Sequence, residues 1–185
     1  MDVIRIEHLT RDYGGGKGVF DLSFQVGNGE VFGFLGPNGA GKTTTIRHLM
    51  GFIRPMSGKC TINGLDCWKH SDRIQQQLGY IPGEISFFDD MTGREFLDFL
   101  AKYRGLGADH RQKELLDRFE LDPRAKISRM SKGMKQKVGI VAAFMHDPEI
   151  LLLDEPTSGL DPLMQNRFVD LLSQEKPVSY THLRA

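Results

Sequence analysis

Gly36-Pro37-Asn38-Gly39-Ala40-Gly41-Lys42-Thr43-Thr44 decides the fold of this 185-residue chain. The stretch has the G-x-x-x-x-G-K-[ST] spacing of a phosphate-cradling loop, the P-loop. Gly36, Gly39 and Gly41 let the backbone turn tightly and keep side chains out of a phosphate's way. Successive N–H groups then point inward as an anion nest. Lys42 supplies a point charge for β- and γ-phosphates, and the Thr43 hydroxyl supplies a ligand for Mg²⁺. Both flanks fit. Residues 31–35, Val-Phe-Gly-Phe-Leu, read as an apolar strand leading in. Ile46, Leu49 and Met50 share one face of a helix leading out, so the helix N-terminus also faces the phosphates. An ordinary glycine-rich loop is the competing explanation, and the strand and helix on either side argue against it.

Working outward, residues 3–9 alternate like a strand. So do residues 19–26, with Phe20, Leu22, Phe24 and Val26 on one face and Asp21, Ser23 and Gln25 on the other. Gly27-Asn28-Gly29 is a turn signal, so the chain opens on an antiparallel β element. Residues 58–62 form a short strand closed by Asn63-Gly64, and residues 78–81 form a buried strand ending at Pro82. The middle then changes character. Thr92-Gly93-Arg94-Glu95 is a capping box ahead of Phe96, Leu97, Phe99, Leu100 and Tyr103, which share a helical face. A second amphipathic helix carries Leu115, Leu116 and Phe119 and ends before Asp122-Pro123. The run Ile150-Leu151-Leu152-Leu153 is apolar throughout, as in a parallel sheet covered on both faces. Asp161-Pro162 gives an N-cap and a first-turn proline for a last helix. The expected organisation is α/β: a discontinuous core over 1–83 and 140–176, with a helical insert over 84–139. No internal repeat is present.

Composition bounds the function. The length suits about one domain with a substantial core. There are 24 basic and 24 acidic residues, so the basic footprint of a dedicated nucleic-acid binder is absent. The longest apolar runs, residues 140–145 and 150–153, are far too short to span a bilayer. The first residues carry no signal-peptide pattern. A soluble, cytoplasmic protein is expected, and any membrane role needs a separate chain. Cys60 and Cys67 form no ligand cluster and read as small reduced side chains.

The second half narrows the chemistry. Asp154 and Glu155 follow the apolar strand as a Walker B pattern. The first acid suits Mg²⁺ held through water, and the next suits orienting and polarising an attacking water. The competing view is two solvated carboxylates at a strand end. Between loop and strand lies Met130-Ser131-Lys132-Gly133-Met134-Lys135-Gln136-Lys137, in which Ser131 is a good helix N-cap. After Glu155 comes Pro156-Thr157-Ser158-Gly159-Leu160-Asp161.

P-loop, Ser-x-Gly-x-x-Gln, Walker B and Ser-Gly-Leu-Asp, in this order and spacing, resemble the nucleotide-binding domains of ABC transporters. The likeness covers about residues 1–176. The phrasing of residues 32–44 and 88–92 is similar to bacterial ABC-2 type exporters of drugs, antibiotics or ions. The resemblance implies a P-loop NTPase, RecA-like core with an N-terminal antiparallel β element and an inserted α-helical subdomain. It implies an ATPase using ATP and Mg²⁺, with Glu155 catalytic and Asp154 and Thr43 on the metal side. Gly36, Pro37, Asn38, Gly39, Ala40, Gly41, Lys42, Thr43 and Thr44 would hold the phosphates. Tyr13 falls where the family stacks an aromatic ring on adenine. Ser131 and Gly133 fall where the signature loop meets ATP bound to an opposite subunit, and Asp161 falls in the D-loop at that interface. The implied partners are a transmembrane permease and a second ATP-binding domain, as homodimer or pseudo-dimer. The implied location is the inner face of the membrane. A soluble ABC-type ATPase acting on ribosomes or DNA, and a nucleotide-binding fragment without turnover, are the alternatives.

The pattern departs from the family in several places. Met130, Lys132 and Met134 replace the usual Leu, first Gly and Gln of the signature. Gly83-Glu84 stands where the Q-loop glutamine belongs. The family's switch histidine lies about thirty residues past the Walker B glutamate, and His182 comes too early for it. Residues 177–185 resemble a foreign read-through tail, so the expectation is that the last core strands are missing and that turnover is weak.

Overall fold

β1 (Asp2–Asp12) and β2 (Gly18–Gly27) pair antiparallel, and β4 (Ser57–Ile62) flanks β1 on its other side. The short β5 (Leu65–Asp66) completes a sheet ordered β2-β1-β4-β5. The opening antiparallel element is therefore as the alternation predicts. The computed structural model describes residues 2–37, 39–88, 90–107, 111–174 and 179–184.

One face of β2 is not as the alternation predicts. Phe20 is exposed and Val19 is buried, while Val26 is buried as expected. The ladder slips between Leu9 and Arg11, whose partners are Leu22 and Val19: one residue on β1, Thr10, opposes two on β2, Phe20 and Asp21. Asp21, inside that slip, has φ 50°. A bulge adds one residue, and one residue reverses the facing of every side chain beyond it.

The second sheet is parallel. β3 (Val31–Leu35) and β7 (Ile150–Asp154) lie on either side of β8 (Ser179–Arg184), both in parallel register with it. Ile150, Leu151, Leu152 and Leu153 are all fully buried, as a strand covered on both faces requires. Residues 179–184, expected to be a tail outside the core, instead occupy this central slot. Two parallel strands one position apart present unpaired N–H and C=O groups, and an extended segment between them satisfies both rows. α1 (Lys42–Leu49) follows β3 and buries Thr45, Ile46, His48 and Leu49. α2 (Ser71–Gln77) leads to β6 (Leu78–Ile81).

The helical region holds α3 (Gly93–Tyr103), α4 (Gln112–Arg118), a 3-10 turn (Ile127–Arg129), α5 (Lys132–Phe144) and α6 (Pro162–Gln174). The capping box is present: Thr92 Oγ1 accepts from Glu95 N at 3.2 Å, and Thr92 N donates to Glu95 Oε2 at 2.7 Å. The buried stripe of α3 differs from the predicted aromatic face. Gly93, Leu97 and Ala101 face inward, and Phe99 and Tyr103 are exposed. A Cβ on Gly93 would lie 3.0 Å from Met130 Cε and 3.1 Å from Pro123 O, so the helix approaches its neighbours too closely for rings at that stripe. Phe87, Phe88, Phe96, Phe99 and Tyr103 instead meet one another, edge-on or tilted except for the stacked pair Phe99–Tyr103.

The chain divides into two compact units. One contains the described residues of Met1–Leu78, Glu149–Asp154 and Pro177–Ala185, and the other those of Gly79–Pro148 and Glu155–Lys176. α5 runs unbroken through the expected boundary at 139–140, and α6 belongs with the helical unit. No described helix is long and apolar enough to cross a membrane.

Candidate functional site

The P-loop site lies in the first unit. Gly39 and Gly41 have φ 86° and 83°, a left-handed backbone that suits only glycine at low cost. Gly41 is also confined: a Cβ there would lie 2.6 Å from Gly18 O and 2.7 Å from Val19 Cγ2. β2 therefore braces the loop just where α1 begins. Thr45 anchors the first turn, with both N and Oγ1 donating to Gly41 O, at 2.8 and 3.0 Å. Lys42 Nζ donates to Gly36 O and, at 3.1 Å, to Pro37 O. The ammonium is thus folded back over the loop, where the P-loop pattern predicts a phosphate contact. Asn38 lies outside the described residues.

Tyr13, Lys17, Gly18, Gly39, Gly41, Lys42, Thr43 and Thr44 line one pocket of about 290 Å³. The structure thus brings Tyr13 to the P-loop, which begins 23 residues later in the sequence. A tight turn delivers it: Tyr13 N donates to Lys17 O at 2.9 Å and Gly14 N to Asp12 Oδ1 at 2.7 Å. Gly14, Gly15 and Gly16 all have positive φ, which is why a glycine run precedes Lys17. Lys17 and Gly18 escaped the sequence reading, and that run was the available signal.

Asp154 ends β7 at the level of Leu183 and so of Phe34, two residues before the loop. At the usual strand spacing that is about 10 Å across the sheet. Loop and carboxylate therefore emerge at the same end of one parallel sheet. Thr43 hydroxyl and Asp154 carboxylate are hard oxygen donors that fit Mg²⁺, which takes few protein ligands and keeps waters and phosphates as the rest. Among the described residues no cluster of three His, Cys, Asp or Glu side chains forms a metal site. Glu155 is exposed and has φ 46°, a sparsely populated backbone for a non-glycine residue. Strain of this kind gathers at functional positions.

The signature residues form a second cluster, in the helical unit. Ser131 caps α5, its Oγ accepting from Met134 N at 3.2 Å. Gly133 packs directly on the turn after Glu155: a Cβ there would lie 2.6 Å from Gly159 O. Gln136 is buried and donates from Nε2 to Pro156 O at 2.7 Å. Asp161 caps α6 through Met164 N at 2.9 Å. Ser131, Gly133 and Asp161 thus belong to one locked piece. Gln136, named in the motif but given no role, is the polar side chain that fastens it. Glu84 is exposed in the irregular stretch after β6.

Burial shifts three side chains of this unit, His48, Cys60 and Cys67, toward their neutral forms. Burial, with Arg11 nearby, holds His48 below its ordinary value despite its bond to Thr44 O. Burial chiefly, and Asp66, push the Cys60 thiol up to about 12, and burial pushes Cys67 up as well. Both thiols stay protonated, which suits small packing side chains.

Comparison with known proteins gives a consistent picture. A family model described as "ABC transporter" matches residues 19–158. The chain is 40% identical over 182 residues to the bacitracin transport ATP-binding protein BcrA of Bacillus licheniformis, covering 96% of this chain and 60% of that protein. It is 39% identical to the linearmycin resistance ATP-binding protein LnrL of Bacillus subtilis, covering 93% and 57%. A solved ATP-binding subunit of an ABC transporter superposes with a TM-score of 0.87 at 31% identity, over 98% of this chain and 79% of that one. The chain therefore spans about 60% of the length of these curated relatives.

Proposed function

The chain belongs to the ABC transporter family, and from that premise we propose that it binds Mg·ATP and hydrolyses it to power export by a separate transmembrane permease. The observation that carries the reading is the shared end of one parallel sheet. There the P-loop, with Lys42 and Thr43, and Asp154 emerge within one unit, beside a pocket that Tyr13 also lines. Backbone amides around Gly39–Gly41 and Lys42 bind phosphate, and Tyr13 offers a π-face to the base. Thr43 and Asp154 hold Mg²⁺, which supplies charge neutralisation at the phosphates. Glu155 orients the attacking water and accepts its proton. Ser131, Gly133 and Asp161 act on nucleotide held by a second copy or a paralogue, so the working form is a dimer. Relatives named for bacitracin transport and linearmycin resistance support antibiotic export over action on ribosomes or DNA. Through its permease the protein sits on the inner face of the membrane.

The test compares Lys42→Ala and Glu155→Gln. Loss of the charged hydrogen bond in Lys42→Ala removes about 1.5–3 kcal/mol, roughly 10–150-fold in ATP affinity. Glu155→Gln keeps ATP binding and loses phosphate release. Equal fluorescent-ATP affinity in Lys42→Ala, or unchanged turnover in Glu155→Gln, overturns the assignment.

A further inference from the structure

We propose that Arg11 is a positioning residue for the nucleotide base: it backs one face of the Tyr13 ring and leaves the other face for the purine. The inference rests on the reading of Tyr13 as the base-stacking residue. Arg11 Cζ lies 5.3 Å from the Tyr13 ring centroid, within cation–π range. Tyr13 is 50% exposed and lines the pocket beside the P-loop, so the ring is accessible to a ligand. Its backbone is tied down by Lys17 O, and the neighbouring turn is three glycines, which carry no side chain to lay against the ring. The guanidinium is the cation at its face.

The Arg11 backbone is held beside the strand that braces the loop. It pairs in the ladder with Val19, whose methyl group is one of the atoms a side chain at Gly41 would strike. Its Nε–H is buried and has no hydrogen-bond partner among the described residues. His48, in α1 just beyond the P-loop, has the complementary orphan. Its Nδ1–H donates to Thr44 O at 2.7 Å, so its buried Nε2 carries a bare lone pair, likewise unpartnered among the described residues. The Arg11 charge reaches that imidazole. Arg11 therefore lies near both the helix that carries the phosphate loop and the ring that would meet the base. A cation on one ring face also draws electron density from the other, which favours an electron-rich purine there.

The experiment titrates Mg·ATP and Mg·tripolyphosphate, which has the phosphates and no base, into wild type, Arg11→Met, Arg11→Lys, Tyr13→Ala and the double variant Arg11→Met/Tyr13→Ala. Arg11→Gln replaces Arg11→Met if the latter fails to fold. The readout is the ratio of ATP to tripolyphosphate affinity. In Arg11→Met it is expected to fall about 2–5-fold, the scale of one exposed cation–π contact. Arg11→Lys restores it, and adding Arg11→Met to Tyr13→Ala changes nothing further. An unchanged ratio in Arg11→Met, with the ratio lowered in Tyr13→Ala, overturns the role of Arg11 and leaves base stacking standing. An unchanged ratio in Tyr13→Ala overturns base stacking itself. Equal losses for ATP and tripolyphosphate in Arg11→Met, or a further fall in the double variant, show a plain charge or packing effect and also overturn the proposal.

Discussion

Replacing Gln136 by Met tests whether the signature helix and the turn after Glu155 act as one piece. Met has nearly the same length and volume, so packing is kept and the amide alone is lost. The bond removed is 2.7 Å long and buried, from Gln136 Nε2 to Pro156 O. An unsatisfied buried acceptor costs about 1–3 kcal/mol. The backbone has little room to recover it, because Gly133 and Gly159 O are already in contact. At about 2–4 °C per kcal/mol for a chain of this size, melting should fall by roughly 2–12 °C. Hydrogen exchange localises the effect. Ser158 N and Leu160 N, which donate to Glu155 O and Thr157 O, should exchange roughly 5–150-fold faster as the turn opens more readily. Turnover should fall while ATP affinity holds, since Glu155 starts this turn and the P-loop does not depend on it. Unchanged melting together with unchanged exchange at Ser158 and Leu160 would refute the coupling.

Other outcomes follow from the same geometry. Gly41→Ala combines a left-handed backbone, about 1–2 kcal/mol for an L-residue, with collisions at Gly18 O and Val19 Cγ2. Both melting temperature and fluorescent-ATP affinity should drop, and wild-type values for both would contradict the brace between β2 and the loop. His48 titrates below its ordinary value of 6.5 in the folded chain, chiefly through burial. As pH falls through 6.5 the unfolded chain takes up a proton that the folded chain refuses, so stability declines with acid until the lower folded value is passed. Denaturant melts across that window should show a shallower acid loss in His48→Gln, and identical profiles would remove His48 from the account. Leu152→Ala should cost about 2–5 kcal/mol as a cavity in the parallel sheet, read from the denaturation midpoint, and a neutral result would mean that β7 is not buried on both faces.

Much of this was legible because chemistry constrains spacing. The loop at 36–44 needs its glycines for backbone conformation, so both the motif and its strand–helix context are written in residue types. The capping box at Thr92 and the proline after Asp161 are local in the same sense. What was misread depends on partners distant in sequence. Phe20 alternates correctly on paper, but the bulge at Asp21 is decided by pairing with β1. Phe99 and Tyr103 look like a core stripe until Gly93 shows how close Met130 and Pro123 lie. Gln136 was visible only as a letter in a motif, since its acceptor is twenty residues away on a turn. Residues 179–184 carried no strong strand pattern, and their place is set by the gap between β3 and β7.

That gap has a kinetic consequence. β8 joins β3 to β7, and about three-quarters of the chain separates β3 from β8. Closing so large a loop is slow, because its entropy must be lost before any backbone pairing is gained. Until it closes, β3 and β7 each offer a row of open backbone groups to whatever strand arrives first, including one from another molecule. Refolding yield should therefore fall as protein concentration rises, even where the equilibrium stability is unchanged.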